Sequence, residues 1–393
     1  MVRRNEIFGI TIVASICLLL IGFSQKDPTN YQRSHRFQQL LELEGSFRYK
    51  NYTVPIPSMN NVISLQKNQI YRELSEYEFP EGYNLEDFTL STGGKPIRTI
   101  IITTWRSGST FLGDILNSVP GNYYHYEPLL EYEIVRIRGY PYAERALRTL
   151  KNLLHCDYKK LRSYLRYGRS HVYLFTHNTR LWDQCEQFPS YCWNPNFLSQ
   201  FCKLFPFQSM KSVRLSLDLA ENLLEDSSLN VKVILLIRDP RGTLQSRKHR
   251  DWCPGNPDCD QPLNLCSDMV SDYLAAGKLK KKYSDRFRAL RYEDLSLNPY
   301  EIVQELFSFL GLHFHNSVKQ FLNSHTRVNI GGVSSTFRDS KSAPFHWKTD
   351  LNYTEIQAIE EVCEDAMKLW GYVRSKNATD VKEFNSLTKY DIA

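Results

Sequence analysis

The chain reads as an α/β protein: a P-loop-like single domain with a central parallel sheet flanked by helices, preceded by a membrane anchor and a stem. Three observations predict this. From Lys95 onward, strand and helix patterns alternate, as they do in a parallel sheet covered on both faces. Two runs, Ile97–Thr103 and Val231–Ile237, are apolar and β-branched almost throughout, the composition of strands buried on both sides. Residues 7–23 form an uncharged apolar run behind Arg3 and Arg4.

That run is at the short end for a bilayer-spanning helix, which suits a thin early-secretory membrane. A cleaved signal peptide is the competing reading, but no small-x-small cleavage pattern follows Phe23. With the arginines cytoplasmic, the rest of the chain is luminal. Two other features agree. Asn51-Tyr52-Thr53, Asn352-Tyr353-Thr354 and Asn377-Ala378-Thr379 are glycosylation acceptors. Cys17 lies in the apolar run, which leaves eight cysteines (Cys156, Cys185, Cys192, Cys202, Cys253, Cys259, Cys266 and Cys363), an even number that suggests disulfides of unspecified pairing. Cys253, Cys259 and Cys266 contain no C-x-x-C pair, so a loop disulfide is preferred there over zinc. The resulting division is a cytoplasmic tail (1–6), signal-anchor (7–23), luminal stem (24–95), catalytic domain (96–375) and C-terminal tail (376–393). The basic excess, 49 residues against 43 acidic, is too small to argue for nucleic acid and suits an anionic cofactor or an acidic polymer.

Within the domain, Ile97–Thr103 leads through Thr104-Trp105-Arg106-Ser107-Gly108-Ser109-Thr110 into a helix carrying Phe111, Leu112, Ile115, Leu116 and Val119, stopped by Pro120-Gly121. A small Gly-containing turn at the end of a parallel strand aims backbone N–H groups and a positive helix end at one point. Arg106 adds a planar charged fork, and Ser107, Ser109 and Thr110 add hydroxyls. The turn reads as a phosphate cradle, although an ordinary βα turn has similar composition. It is not an ATP-type loop: Gly93-Gly94-Lys95 stands before the strand, and no Lys-[Ser/Thr] follows the cradle glycine, which disfavours a nucleotide kinase.

Tyr123–Tyr126 reads as a short strand running into Glu127-Pro128, and the chain to Leu165 as helical and basic. Val172–Phe175 is a further strand candidate, and Cys185–Phe207 an irregular, disulfide-tied insertion. Ser212–Leu215 is expected as a strand turning helical by Leu224. Val231–Ile237 ends at Arg238, with Asp239 as N-cap and Pro240 opening a helix that carries Ser246. Phe287–Tyr292 is a last strand, Pro299–Leu310 a helix ended by Gly311, and Thr354–Trp370 a final helix. Arg238 stands where open α/β sheets receive ligands, although a surface ion pair is the plainer reading.

Taken together, several motifs resemble the Golgi carbohydrate 6-O-sulfotransferases. They are Arg106–Phe111, Arg238-Asp239-Pro240-Arg241 with Ser246, Tyr126-Glu127-Pro128-Leu129, Arg291–Leu295, Phe337–Ser340, Trp347 and Cys363–Tyr372. The resemblance implies the sulfotransferase fold and a 3′-phosphoadenosine-5′-phosphosulfate (PAPS) donor. The loop Thr104, Trp105, Arg106, Ser107, Gly108, Ser109, Thr110 would bind its 5′-phosphosulfate end, and Arg238 with Ser246 its 3′-phosphate. No metal is implied. It further implies a type II Golgi membrane enzyme sulfating the 6-hydroxyl of galactose, N-acetylglucosamine or N-acetylgalactosamine in glycans. Sulfation at another hydroxyl, such as the 4-position of N-acetylgalactosamine, and a catalytically silent glycan-binding protein are the alternatives; a homo-oligomer stays open. Glu127 is the expected base, with an ion pair to a cradle arginine as its plainer role and His125 as rival. Arg338 is expected near phosphate or substrate, and Tyr292 in core or adenine packing. Lys211 and Arg214 are expected either against an anionic acceptor or on a solvated face.

Overall fold

A computed structural model describes residues 57–330 and 335–392. The expected anchor, residues 24–56 of the expected stem and Asn51 lie outside the described residues. Among those described, no helix is long and apolar enough to cross a membrane.

Five strands, β1 (Ile97–Ile102), β2 (Asn122–Tyr126), β3 (Phe207–Ser212), β4 (Val231–Ile237) and β5 (Phe287–Arg291), form one sheet in the order β2-β3-β1-β4-β5. Every pairing is parallel. In register, Ile102 of β1 lies between Ser212 and Leu235, so all five strands end on one edge. The sheet is dry because β1 and β4 carry Ile100, Ile101, Ile102, Val233, Ile234 and Leu235, each fully buried. At about 25 cal/mol per Å2 of apolar surface, such side chains contribute about 2 kcal/mol each.

The helices follow their capping chemistry. Gly108 caps α1 (Ser109–Asn117) in a left-handed conformation, φ 85°. Asp239 accepts from Arg241 N and Pro240 opens α2 (Pro240–Lys248), as expected. Gly311 ends α3 (Pro299–Leu310) at φ 75°. Part of the expected stem joins this body. The helix Met59–Glu73 buries Val62, Gln66 and Ile70, and Glu73 pairs with Arg180 at 3.1 Å.

Four expectations are corrected. Val172–Phe175 is not a strand: Tyr173–Thr176 is one helical turn, with Leu174 and Phe175 buried and Tyr173 exposed. A four-residue apolar run has no period to separate the two forms. The strand expected at Ser212–Leu215 lies earlier, at Phe207–Ser212, and is wholly buried although four of its residues are polar. Partners make that tolerable: Asn122 Nδ2 donates to Ser209 Oγ at 2.8 Å, for example. The Cys185–Phe207 segment is tied by disulfides but is not irregular. Helices Thr179–Gln187, Pro189–Cys192 and Pro195–Cys202 fill it, two of them with proline in the first turn. The last helix is two, Tyr353–Val362 and Glu364–Leu369, divided at Cys363.

The eight cysteines pair as Cys156–Cys202, Cys185–Cys192, Cys253–Cys259 and Cys266–Cys363. The sequons at Asn352 and Asn377 are exposed.

Candidate active site

Because all five strands end on one edge, the segments that follow them meet there, where parallel sheets bind ligands. They surround a cavity of about 780 Å3. Trp105, Arg106, Gly108, Ser109 and Thr110 line it from β1, Tyr126 and Glu127 from β2, Lys211 from β3, Arg238 and Ser246 from β4, and Tyr292 from β5.

The cradle's shape has identifiable causes. Arg106 is held at φ 65° and Gly108 at φ 85°. A Cβ on Gly108 would stand 2.2 Å from the Tyr292 ring, so the tyrosine, expected in core or adenine packing, seals the cradle against β5. Beneath the loop, the fully buried Arg247 donates to Trp105 O at 3.0 Å, Thr104 Oγ1 at 2.6 Å and Cys259 O at 2.7 Å. Thr104 is therefore a loop brace whose side chain does not line the cavity. The same holds for Ser107, whose hydroxyl meets Thr103 Oγ1 at 2.6 Å and Thr104 O at 2.9 Å. Gly108→Ala combines a left-handed backbone with ring overlap. It should cost at least about 2 kcal/mol of stability, read as a lower midpoint in thermal unfolding.

The two strand-end motifs interlock. Arg106 Nε donates to Ser246 Oγ at 3.0 Å, and Arg238 NH1 donates to Arg106 O at 2.8 Å. Burial, then the charges of Arg250 and Arg238, bring the Arg106 guanidinium down to about 9. Arg238 Nε and Arg250 Nε and NH2 are buried with no hydrogen-bond partner among the described residues. Clustered arginines with unmatched donors around a glycine-bounded turn fit a polyanionic ligand. Arg338 also lines the cavity.

Glu127 follows β2 at φ 44°, which takes it out of the strand's alternation. Lys211 Nζ lies 2.8 Å from its Oε1 and Arg214 NH1 3.0 Å from its Oε2. Lys211 Nζ also lies 3.5 Å from Thr110 Oγ1, so one ammonium bridges the carboxylate and the cradle. Burial works against the ammonium, but Glu127 and Tyr126 outweigh it and raise its pKa. Burial lowers that of Arg214, with Glu127 opposing. Tyr126 is held between His177, ring centroids 3.7 Å apart, and Lys211, 4.3 Å from its centroid.

His125 does not reach the cavity. Glu127 leaves the strand's alternation, whereas the histidine stays in the strand, 2% exposed, its Nε2 without a hydrogen-bond partner among the described residues. Burial and then Arg98 push it down to about 3, so it is neutral. Arg247 and Arg250 carry no motif that marks them in the sequence. Their signal was a basic cluster on α2 and just after it, one and four residues past Ser246.

Behind Arg238, Glu293 is fully buried, accepting from Asp239 N at 3.0 Å and from the Tyr372 hydroxyl at 2.9 Å. Burial, then the charge of Asp239, raise it from 4.5 to about 7. Between those values the folded state holds the extra proton, so this residue's contribution to stability is full below about 4.5 and is lost as pH rises through 7. Glutamine, with one donor and one acceptor end, mimics the protonated acid. Glu293→Gln should therefore gain stability relative to wild type as pH rises from 5 to 8, by on the order of 2 kcal/mol, in parallel urea titrations. A constant difference across pH would contradict this.

Residues 96–371 match the sulfotransferase domain family. The chain is similar to carbohydrate sulfotransferase 5 of Mus musculus, 27% identical over 323 residues that cover 71% of this chain and 81% of the relative. It is also similar to carbohydrate sulfotransferase 4 of Mus musculus, 26% identical over 329 residues, 72% of this chain and 84% of the relative. Carbohydrate sulfotransferase 1 of Danio rerio is 25% identical over 342 residues, 73% and 80% respectively.

Proposed function

The chain belongs to the sulfotransferase family, and from that premise we propose that it moves a sulfuryl group from PAPS to the 6-hydroxyl of galactose, N-acetylglucosamine or N-acetylgalactosamine in a glycan. The observation that carries this reading is the joint position of cradle, carboxylate and ammonium in one cavity: Arg106 and Thr110 on one side, Glu127 opposite, and Lys211 touching both. The relatives' names, all carbohydrate sulfotransferases, support a sugar acceptor.

When bound, PAPS supplies an activated sulfuryl group on a phosphate leaving group. Arg106 and the first N–H groups of α1 hold the 5′ end, and Arg238 and Ser246 the 3′-phosphate. Glu127 takes the proton from the sugar hydroxyl as the new O–S bond forms and the bond from sulfur to the bridging phosphate oxygen breaks. Lys211 carries charge relief from the cradle to that point, where negative charge grows on the departing oxygen. For Glu127 to accept the proton, the hydroxyl takes up one of the carboxylate positions that Lys211 and Arg214 now share.

The apolar run at 7–23, the exposed sequons and the four disulfides support a type II Golgi membrane protein with residues 96–375 as luminal catalytic domain. The position of transfer is tested with acceptors lacking one hydroxyl. A 6-deoxy sugar at the acceptor end should receive nothing while its 4-deoxy counterpart is sulfated. The reverse would move the reaction to the 4-position.

A further inference from the structure

Tyr126 closes β2, paired in register with Lys211 of β3, and Glu127 follows it. In a strand's alternation such neighbours point to opposite faces. The left-handed backbone at Glu127, φ 44°, cancels that alternation, and both side chains line the cavity. The Tyr126 ring has little freedom there. His177 stacks on one face, 13° from parallel and with centroids 3.7 Å apart. At that spacing the same face has no room for the Lys211 ammonium, 4.3 Å from the centroid, which therefore covers the other. Burial and then Lys211 push the His177 imidazole down to about 3, so it stacks as a neutral ring. His177 is itself anchored, its carbonyl accepting from Asn117 Nδ2 at 2.9 Å. What the tyrosine presents to the cavity is its edge and its hydroxyl.

The hydroxyl stands where the neighbouring cations are already engaged. Lys211 is held by Glu127 at 2.8 Å and Thr110 at 3.5 Å. Arg214 gives NH1 to Glu127 at 3.0 Å and Nε to Glu133 O at 2.6 Å. Arg106 gives Nε to Ser246 at 3.0 Å. The Tyr126 oxygen lies within electrostatic reach of all three and favours the charge on each. Among the described residues the hydroxyl has no hydrogen-bond partner. A phenol fixed between the cradle and the carboxylate is a ready neutral donor for an anionic group passing from one to the other.

We propose that the Tyr126 hydroxyl donates a hydrogen bond to an oxygen of the sulfuryl group as that group moves from the donor's phosphate to the sugar, with His177 as the positioning residue that fixes the ring. This rests on the proposed sulfotransferase reading and adds to it a residue acting on the transferred group. The phenol keeps its proton throughout. The bond from sulfur to the bridging phosphate oxygen breaks, the bond from sulfur to the sugar oxygen forms, and the sugar's hydroxyl proton passes to Glu127. The sulfuryl oxygens carry negative charge at every stage, so a donor already aimed at them needs no reorganisation during transfer.

The test uses the intact luminal protein and its Tyr126→Phe variant, which keeps the ring and its stack and removes the oxygen. In calorimetric titrations without acceptor, the variant should bind PAPS about tenfold more weakly than wild type does. It should bind 3′-phosphoadenosine-5′-phosphate, which lacks the sulfuryl group, as wild type does. In turnover, kcat/KM for PAPS should fall at least about tenfold with KM for the sugar unchanged. His177→Ala should also lower kcat/KM for PAPS, but not in the Tyr126→Phe background, and His177→Phe should restore it by restoring a stacked ring. An equal effect in both backgrounds would overturn the positioning role. A Tyr126→Phe protein that binds and turns over PAPS like wild type would overturn the hydroxyl's role and leave the sulfotransferase reading intact. So would a KM for the sugar that rises while PAPS binding holds, because the hydroxyl would then act on the acceptor. Wild-type protein that binds neither nucleotide and labels no sugar would overturn both.

Discussion

Glu127→Gln is expected to lower kcat by about 10^3, within the range that general-base catalysis contributes, while KM for PAPS stays close to wild type. The amide keeps the side chain's volume but cannot accept the hydroxyl proton. It also cannot accept from both Lys211 and Arg214, which lie 2.8 and 3.0 Å from the two carboxylate oxygens. Leaving a buried cation without its partner destabilises by about 3–5 kcal/mol, so a drop in the unfolding midpoint should accompany the loss of rate. The two effects separate with Glu127→Gln/Lys211→Met. Removing the orphaned ammonium should recover much of the stability and none of the rate. Recovery of transfer in that double variant would make Glu127 a structural partner of Lys211 and no more. Unchanged kcat in the single variant would exclude it as the base.

Arg106→Ala should behave in the opposite way toward stability. Arg106 sits among Arg250 and Arg238, and these charges, after burial, disfavour its own. Removing it relieves repulsion in the free protein, and alanine keeps the same backbone requirement at φ 65°. The unliganded unfolding midpoint should therefore be unchanged or raised. Donor recognition should collapse: kcat/KM for PAPS should fall by at least about 10^3, as for arginines that stabilise transferring phosphoryl groups. The thermal shift produced by 3′-phosphoadenosine-5′-phosphate should shrink in step. A variant that keeps that shift would remove Arg106 from donor binding.

How far the molecule is legible in its sequence depends on whether each residue obeys its local pattern. β1 and β4 are readable because their residues are apolar on both faces, and the turn after each is readable from Gly108 and from Asp239-Pro240. β3 is hidden for the opposite reason. Gln208, Ser209, Lys211 and Ser212 are polar, and only their tertiary partners make their burial tolerable. That strand delivers Lys211, so the ammonium beside Glu127 reads equally as a surface charge until the sheet is assembled. The contact of Arg106 with Ser246 joins residues 140 positions apart. No periodicity points to it, and the family resemblance assigns the two residues to opposite ends of one donor. Arg247 looks like one more surface base on an amphipathic helix, and only the fold shows it donating to the cradle from below. In the Cys185–Phe207 segment, cysteine, proline and aromatic residues suggest an irregular, disulfide-tied backbone. Those same residues in fact pack three short helices and open two of them.

The central claim is most directly tested with the luminal portion, residues 24–393, secreted from cultured cells and supplied with sulfur-labelled PAPS. The acceptors are a panel ending in galactose, N-acetylglucosamine or N-acetylgalactosamine. Label should appear on one class of acceptor, with one equivalent of 3′-phosphoadenosine-5′-phosphate released per sulfate transferred, and Glu127→Gln should slow both by about 10^3. A folded protein that neither binds 3′-phosphoadenosine-5′-phosphate nor labels any sugar would contradict the account.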